Sequence, residues 1–133
     1  MTLRWYSVII DCHDVAAQAR WWAEALDWTI YYEAADEVVI LPRHASEERL
    51  ATMEWLEVPP GIVFVPVPEA KTVKNRIHLD LAPRTPEDRE AEIARLLALG
   101  ARRVDVGQRA DVTWEVLADP EGNEFCILSP RET

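Results

Sequence analysis

The amino-acid sequence predicts an α+β fold in which two βαβββ modules pair into a curved mixed sheet around a central cleft. Its 133 residues suffice for one globular domain with a substantial core. Two segments with helical character each follow one strand-like segment and precede three more. This order is repeated although the halves share little identity. We therefore predict a single domain over residues 1–133, with module one at about 1–70 and module two at about 74–130.

In the first module, turn and capping residues delimit the predicted elements. Asp14 is a suitable N-cap for a helix from Val15 to Leu26, and Asp27 can adopt the left-handed conformation common at a helix end. Runs of β-branched and aromatic residues predict strands. The strands are expected at Leu3 to Ile10, Trp28 to Ala34, Glu37 to Leu41 and Ile62 to Val67, with a short helix capped by Ser46 and running to Leu56.

The second module has the stronger helix signals. Thr85 is an N-cap, Pro86 occupies the first helical position, and Gly100 is the expected C-cap. An Asp-Pro-Glu-Gly-Asn turn at residues 119–123 predicts a hairpin connection. The strands are expected at Arg76 to Leu81, Ala101 to Val106, Thr113 to Ala118 and Glu124 to Leu128.

Composition excludes several classes of protein. Twenty-four acidic residues against fourteen basic ones, a net charge of −10, argue against a nucleic-acid partner, because phosphate contacts need a basic face. No apolar stretch approaches the ~20 residues of a membrane span, and no signal peptide is visible. Cys12 and Cys126 are too few for a disulfide framework. We expect a cytoplasmic protein with reduced thiols and no membrane partner.

Three segments resemble the vicinal oxygen chelate superfamily, which includes glyoxalase I, extradiol dioxygenases and bleomycin resistance proteins. The first is Asp14 followed by Trp21-Trp22 and then Ala25-Leu26-Asp27-Trp28. The others are the Lys-Asn-Arg-Ile-His-Leu-Asp-Leu run at 74–81 and the Asp119 turn leading to Phe125-Cys126. Together they look like the glyoxalase-like subgroup common in actinobacteria, and the resemblance covers nearly the whole chain.

Metal-bearing members of that superfamily take one ligand from the first and one from the last strand of each half. The resemblance carries these positions to Ser7, to the vicinity of Val65, to His78 and to Cys126. Two protein ligands are normally too few for a metal centre. We therefore predict no intrinsic metal and no cofactor.

His78 and Asp80 are the candidate catalytic residues. Two positions apart on a strand, they share the concave face, whereas Ile77, Leu79 and Leu81 are expected to pack against a helix. His78 would then contact a ligand as acid or base, with Asp80 orienting it. The alternative is a purely structural polar pair.

Cys126 is predicted to share that face and offers two interpretations. A buried cysteine usually behaves as a small hydrophobe. A nucleophilic role would need a lowered thiol pKa, which a nearby His78 could provide.

The aromatic residues supply further candidates. Trp5 lies on the Ser7 face of the first strand and could line the cleft, as could Trp114, whereas Trp21 and Trp22 are assigned to core and rim. Core packing is the alternative for each tryptophan. The predicted ligand-binding set is Trp5, Ser7, Val65, His78, Trp114 and Cys126.

Three functions are compatible with these residues. The first is a metal-independent enzyme that uses His78, and the second is a protein that binds and sequesters a small organic molecule. We favour a metal-free small-molecule site of one of these two kinds. The third is divalent-metal-dependent lyase or dioxygenase chemistry, which Ser7 and Cys126 disfavour. The resemblance also implies a homodimer.

Overall fold

The computed structural model describes residues 2–133, which form two compact units that divide between Ala70 and Lys71. Each unit contains a four-stranded mixed sheet in which one strand precedes the long helix and three follow it, and in the first unit two short helical turns separate the last two strands. This confirms the predicted α+β class. The first unit holds β1 (Ser7–Cys12), α1 (Val15–Leu26), β2 (Trp28–Ala34), β3 (Glu37–Pro42), α2 (Glu47–Leu50), a 3₁₀ helix (Trp55–Glu57) and β4 (Gly61–Pro66). The second holds β5 (Asp80–Leu81), α3 (Pro86–Ala98), β6 (Arg102–Arg103), β7 (Glu115–Ala118) and β8 (Glu124–Ile127).

The sheet of the first unit has the order β1-β4-β3-β2. β1 runs parallel to β4 with Ser7 opposite Gly61, and the other neighbouring pairs are antiparallel. β2 lies at one edge, and its pairing with β3 shifts register between Ile30 and Tyr32, which marks a β-bulge.

Both ends of α1 are as predicted from the sequence. The Asp14 carboxylate accepts a hydrogen bond from the Ala17 N–H at 3.0 Å, and Asp27 ends the helix in the left-handed region with φ 55°. Trp21 and Trp22 are both buried and meet edge to face, with ring centroids 5.1 Å apart. The division into core and rim was therefore wrong.

Two predicted elements of the first unit are shorter in the structure. β1 begins at Ser7 rather than Leu3, because its partner β4 begins at Gly61, immediately after two prolines that have no N–H to donate. The helix predicted to run from Ser46 to Leu56 is a single turn, Glu47–Leu50, followed by the separate 3₁₀ helix. Ser46 does cap it, but none of its residues is buried, so no packing extends it.

The sheet of the second unit has the order β5-β8-β7-β6. β5 is parallel to β8, with Asp80 opposite Cys126 and Leu81 opposite Ile127. The other two pairs are antiparallel. Leu117 and Phe125 on β7 and β8 are fully buried, and Ile93 and Leu96 on α3 are also buried.

α3 begins with the predicted capping box. Thr85 Oγ1 accepts from the Asp88 N–H at 3.1 Å, and the Asp88 carboxylate accepts from the Thr85 N–H at 3.2 Å. The C-cap is Leu99 rather than Gly100, which follows it with φ 113°. The left-handed turn that favours glycine therefore comes one residue after the cap.

The strand predicted from Arg76 to Leu81 is reduced to Asp80–Leu81. Its partner β8 begins at Glu124, so the register leaves Arg76 and Ile77 without an opposing β8 residue. Ile77 is 85% exposed, so the prediction that it packs against a helix was wrong.

The strand predicted from Ala101 to Val106 is also reduced, to Arg102–Arg103. The side chain of Gln108 accepts from the Val106 N–H at 2.8 Å and donates to the Val104 carbonyl at 3.4 Å. These bonds replace ladder bonds and turn the chain into a loop. Within residues 2–133, no helix is both long and apolar enough to cross a bilayer.

Candidate functional site

The second unit contains a cavity of about 380 Å³ lined by both apolar and polar side chains. The apolar lining comes from β7, the loop before it and the residue after β8. It consists of Val106, Trp114, Val116 and Leu128. The polar lining residues are Lys74, His78, Asp80, Gln108, Glu124 and Cys126.

His78, Asp80 and Cys126 form the donor cluster, a group whose ligating atoms all lie within 4.8 Å of one another. Asp80 and Cys126 are register partners on adjacent parallel strands, so their side chains leave the sheet side by side. His78 comes two residues before Asp80, and its Nε2 lies 3.3 Å from Asp80 Oδ1. The predicted proximity of His78 and Asp80 is confirmed, although His78 lies just before the strand.

The electrostatics of Cys126 differ from those of a nucleophilic thiol. The residue is buried, and burial raises the pKa of its thiol. The nearby Asp80 carboxylate and a hydrogen bond to it raise the pKa further, whereas Lys74 lowers it less. The thiol is therefore protonated near neutral pH, which is opposite to the activation that a Cys–His nucleophile needs.

Glu124 anchors the segment that leads to His78. Its carboxylate accepts from Lys71 Nζ at 2.9 Å and from the Asn75 N–H at 3.2 Å. Burial disfavours ionisation of Glu124, but the hydrogen bonds from Lys71 and the backbone outweigh it and lower its pKa. Glu124 thus ties residues 71–75 to the start of β8.

The tight turn before β8 completes this anchor. Asp119 is fully buried, and its Oδ1 accepts from the N–H groups of Glu121 at 3.0 Å and Asn123 at 2.9 Å. Asn123 in turn accepts from the Asn75 side-chain amide at 3.1 Å. The turn motif that the sequence contains is therefore connected through Asn75 to the segment that leads to His78.

A family model described as a glyoxalase-like domain matches residues 7–128. The chain belongs to the glyoxalase-like family. Among curated proteins, no sequence matches it.

Solved structures with the same fold include several of this superfamily. A glyoxalase/bleomycin resistance protein/dioxygenase family enzyme from Burkholderia phytofirmans PsJN is 16% identical with a TM-score of 0.69, over 97% of this chain and 100% of the other. A glyoxalase-related enzyme from Fulvimarina pelagi is 18% identical with a TM-score of 0.61, over 92% and 86%.

A third similar structure contains a metal. It is a variant of the fosfomycin resistance protein FosX from Listeria monocytogenes, in complex with Mn(II) and dihydroxypropylphosphonic acid. It is 11% identical to this chain with a TM-score of 0.66, over 94% of this chain and 88% of the other. At these identities the three structures show the shared glyoxalase-like fold.

The predicted site residues of this glyoxalase-like chain lie in both units. His78, Asp80, Cys126 and Trp114 line the cavity of the second unit. Trp5, Ser7 and Val65 belong to the first unit. The indole N–H of Trp5 donates to the Ser7 carbonyl at 3.1 Å, and the residue is 64% exposed. Ligand contact by these three residues stays a prediction.

Sequence reasoning missed Lys74, Gln108 and Glu124 as lining residues. Glu124 had a signal, because it lies two residues before Cys126 and so shares its face of the strand. No sequence signal indicated Gln108, because its position at the cavity depends on the conformation of the loop before β7.

The donor set of the second unit fits a divalent metal in number and type. The expectation of no metal counted only His78 and Cys126, whereas the structure adds Asp80 as a third donor. An imidazole nitrogen, a carboxylate oxygen and a thiol sulfur are the ligand types found in zinc sites. That the protein binds no metal stays a prediction. Its premise was that only two protein ligands are present, whereas the second unit brings three donors together.

Proposed function

We propose that the cavity of the second unit binds a small organic molecule that has both a polar group and an apolar body. The observation that carries this proposal is the mixed lining of the cavity, in which Trp114 and aliphatic side chains occur together with the donor cluster. Small-molecule sites combine apolar walls with a few converging polar groups in this way. The volume of about 380 Å³ suits a ligand at the small end of their range.

His78 supplies the acid–base chemistry of this site. Its Nε2 lies 3.3 Å from Asp80 Oδ1, and a neutral imidazole has one donor and one acceptor nitrogen. In this proposal Asp80 orients the ring while His78 accepts or donates a proton. The same pair binds a ligand hydroxyl or carbonyl group if no reaction follows. The proposal thus includes both sequestration and metal-independent catalysis.

Metal-dependent lyase or dioxygenase chemistry is the second candidate, and the donor cluster favours it. His78, Asp80 and Cys126 would hold the metal. A bound divalent metal supplies Lewis-acid polarisation of a ligand oxygen. The FosX variant with Mn(II) and a phosphonic acid is an example of this fold with both a metal and a small polar organic molecule.

The test is a thermal-shift screen of small organic molecules with the purified protein, followed by mass spectrometry of each recovered hit. We expect hits that raise the melting temperature and lose their effect in Trp114→Ala. Trp55→Ala is the matched control, because Trp55 is also about half exposed but lies in the first unit. Hits that bind Trp114→Ala as tightly as the wild type would contradict the proposed site.

The recovered compound separates binding from catalysis. An unchanged compound indicates sequestration. A converted compound indicates an enzyme, and His78→Ala should then reduce turnover by about 10²-fold or more. Full turnover by His78→Ala would exclude His78 as the acid or base.

A further inference from the structure

We infer that His78, Asp80 and Cys126 form a binding site for a soft or borderline divalent metal ion of the zinc type. All three donors come from the second unit. Asp80 has no counterpart among the four positions that the family resemblance carries over. His78 and Cys126 are two of those four positions, and Asp80 adds a third donor, so the proposed site needs neither Ser7 nor Val65.

The strand geometry brings the three donors together. Asp80 and Cys126 face each other across the parallel pair β5–β8, and His78 reaches the same point from two residues upstream. Metal–nitrogen and metal–oxygen bonds of about 2.0–2.1 Å at a tetrahedral angle place two ligand atoms about 3.3 Å apart. The Nε2–Oδ1 distance of 3.3 Å already has that value.

The cavity provides room for a fourth ligand. Three protein ligands and one open position are typical of catalytic zinc sites, whereas structural sites are closed by four protein ligands. The donor cluster lies on the cavity wall, with His78 and Asp80 partly exposed and Cys126 buried. A bound ion therefore keeps one position for water or for the polar group of a ligand.

Cys126 determines which metals are preferred. Thiolate sulfur favours Zn(II) and similar ions, whereas Mn(II) and Mg(II) favour oxygen ligands. The Cys126 thiol loses its proton to solvent when the metal–sulfur bond forms, so the charge of the thiolate is balanced by the ion. This preference distinguishes the site from the Mn(II) found in the FosX variant.

Co(II) titration of the metal-stripped full chain tests the inference without any organic ligand. Tetrahedral Co(II) gives visible absorption bands, and a thiolate ligand adds a charge-transfer band in the near ultraviolet. We expect both, saturating at one Co(II) per chain and displaced by Zn(II). Cys126→Ser should lose the charge-transfer band, and Cys12→Ser should keep it because the other buried cysteine lies in the first unit.

Substitutions at the two exposed ligands, Asp80 and His78, provide a second measurement. It does not depend on whether a variant of the buried Cys126 folds. Asp80→Asn and His78→Ala should each weaken Co(II) binding by about 10-fold or more, since loss even of outer-shell partners costs about 10- to 100-fold. His44→Ala, at an exposed histidine of the first unit, should leave the affinity unchanged. Circular dichroism confirms that each variant is folded.

Several outcomes would overturn the inference. These are the absence of a charge-transfer band in the wild type, its persistence in folded Cys126→Ser, or unchanged affinity in both Asp80→Asn and His78→Ala. None of these results bears on thermal shifts by organic molecules, so failure of the metal site and failure of the proposed small-molecule site are distinguishable.

Discussion

Glu124 is a carboxylate of the cavity lining that is bonded to the segment leading to His78. It is only 11% exposed and receives hydrogen bonds from both Lys71 and the Asn75 backbone. Removing one partner of a buried ion pair leaves the other charge uncompensated, which is costlier than losing the pair as a whole. Substitution at Glu124 therefore affects both stability and the segment that leads to His78.

We expect Glu124→Gln to lower the free energy of unfolding by about 1–2 kcal/mol at pH 7, between the values typical of exposed and of buried ion pairs. The folded-state pKa of Glu124 lies below its ordinary value of 4.5, so its ionised form stabilises the fold above pH 4.5. That contribution is lost as pH falls from 4.5 through the lower folded-state value. Urea unfolding at pH 7, 5, 4 and 3 should show the difference between wild type and variant shrinking below pH 4.5.

The control for this prediction is Glu69→Gln, at an exposed glutamate of the first unit. It should change stability by less than about 0.5 kcal/mol at every pH. A difference between wild type and Glu124→Gln that stays constant down to pH 3 would contradict the assigned role of the ionised carboxylate.

At the scale of elements, α3 depends on its capping box. We expect Thr85→Ala to destabilise the protein by about 1 kcal/mol, because the Asp88 N–H loses its side-chain acceptor. Thr85→Ser keeps the hydroxyl and should retain most of the stability. Urea unfolding measures both variants, and equal stability of Thr85→Ala and wild type would show that the cap contributes nothing.

Helix ends were predictable from sequence because capping is local. Asp14 and Thr85 act on N–H groups three residues away, so their effect depends on no distant partner. Strand lengths were predicted less well. The run from Arg76 to Leu81 has strand-forming residues throughout, but only the residues opposite β8 become a strand. Strand pairing is non-local, so the sequence of one strand does not show which of its residues will have a partner.

The candidate site was predictable only in part, because it too depends on non-local strand pairing. Strand alternation predicted that His78 and Asp80 share a face, and the family resemblance indicated His78 and Cys126. That Asp80 and Cys126 are side by side follows only from the β5–β8 register. Lys71, which neutralises Glu124, lies outside the segment that alternation could place.

At the scale of the whole molecule, the homodimer implied by the family resemblance stays a prediction. The first unit exposes large apolar side chains, including Leu3, Trp5, Tyr6 and Leu56. Such side chains are typical of surfaces that another chain covers. Size-exclusion chromatography with light scattering should give twice the mass of one chain.

A matched pair of variants tests which surface is used. Tyr6→Ser should weaken dimerisation by about 10-fold or more, as expected for an aromatic anchor. Val73→Ser, at an exposed apolar residue of the second unit, should not. A wild type that elutes as a monomer at all concentrations would contradict the prediction.

The net charge of −10 is compatible with the predicted absence of a nucleic-acid partner, because phosphate neutralisation needs a basic face. That absence and the cytoplasmic location stay predictions. The charge also makes molecules of this protein repel one another at low ionic strength, which favours solubility.

The bulge in β2 has a consequence for the behaviour of many copies at high concentration. β2 is an edge strand with exposed Tyr31 and Tyr32, and a straight edge of this kind is a template for fibril growth. The bulge divides it into Trp28–Ile30 and Tyr32–Ala34, each shorter than the five to six residues typical of a paired strand. A kinked edge gives an incoming chain no continuous ladder, so the irregularity protects the native protein against amyloid-like stacking.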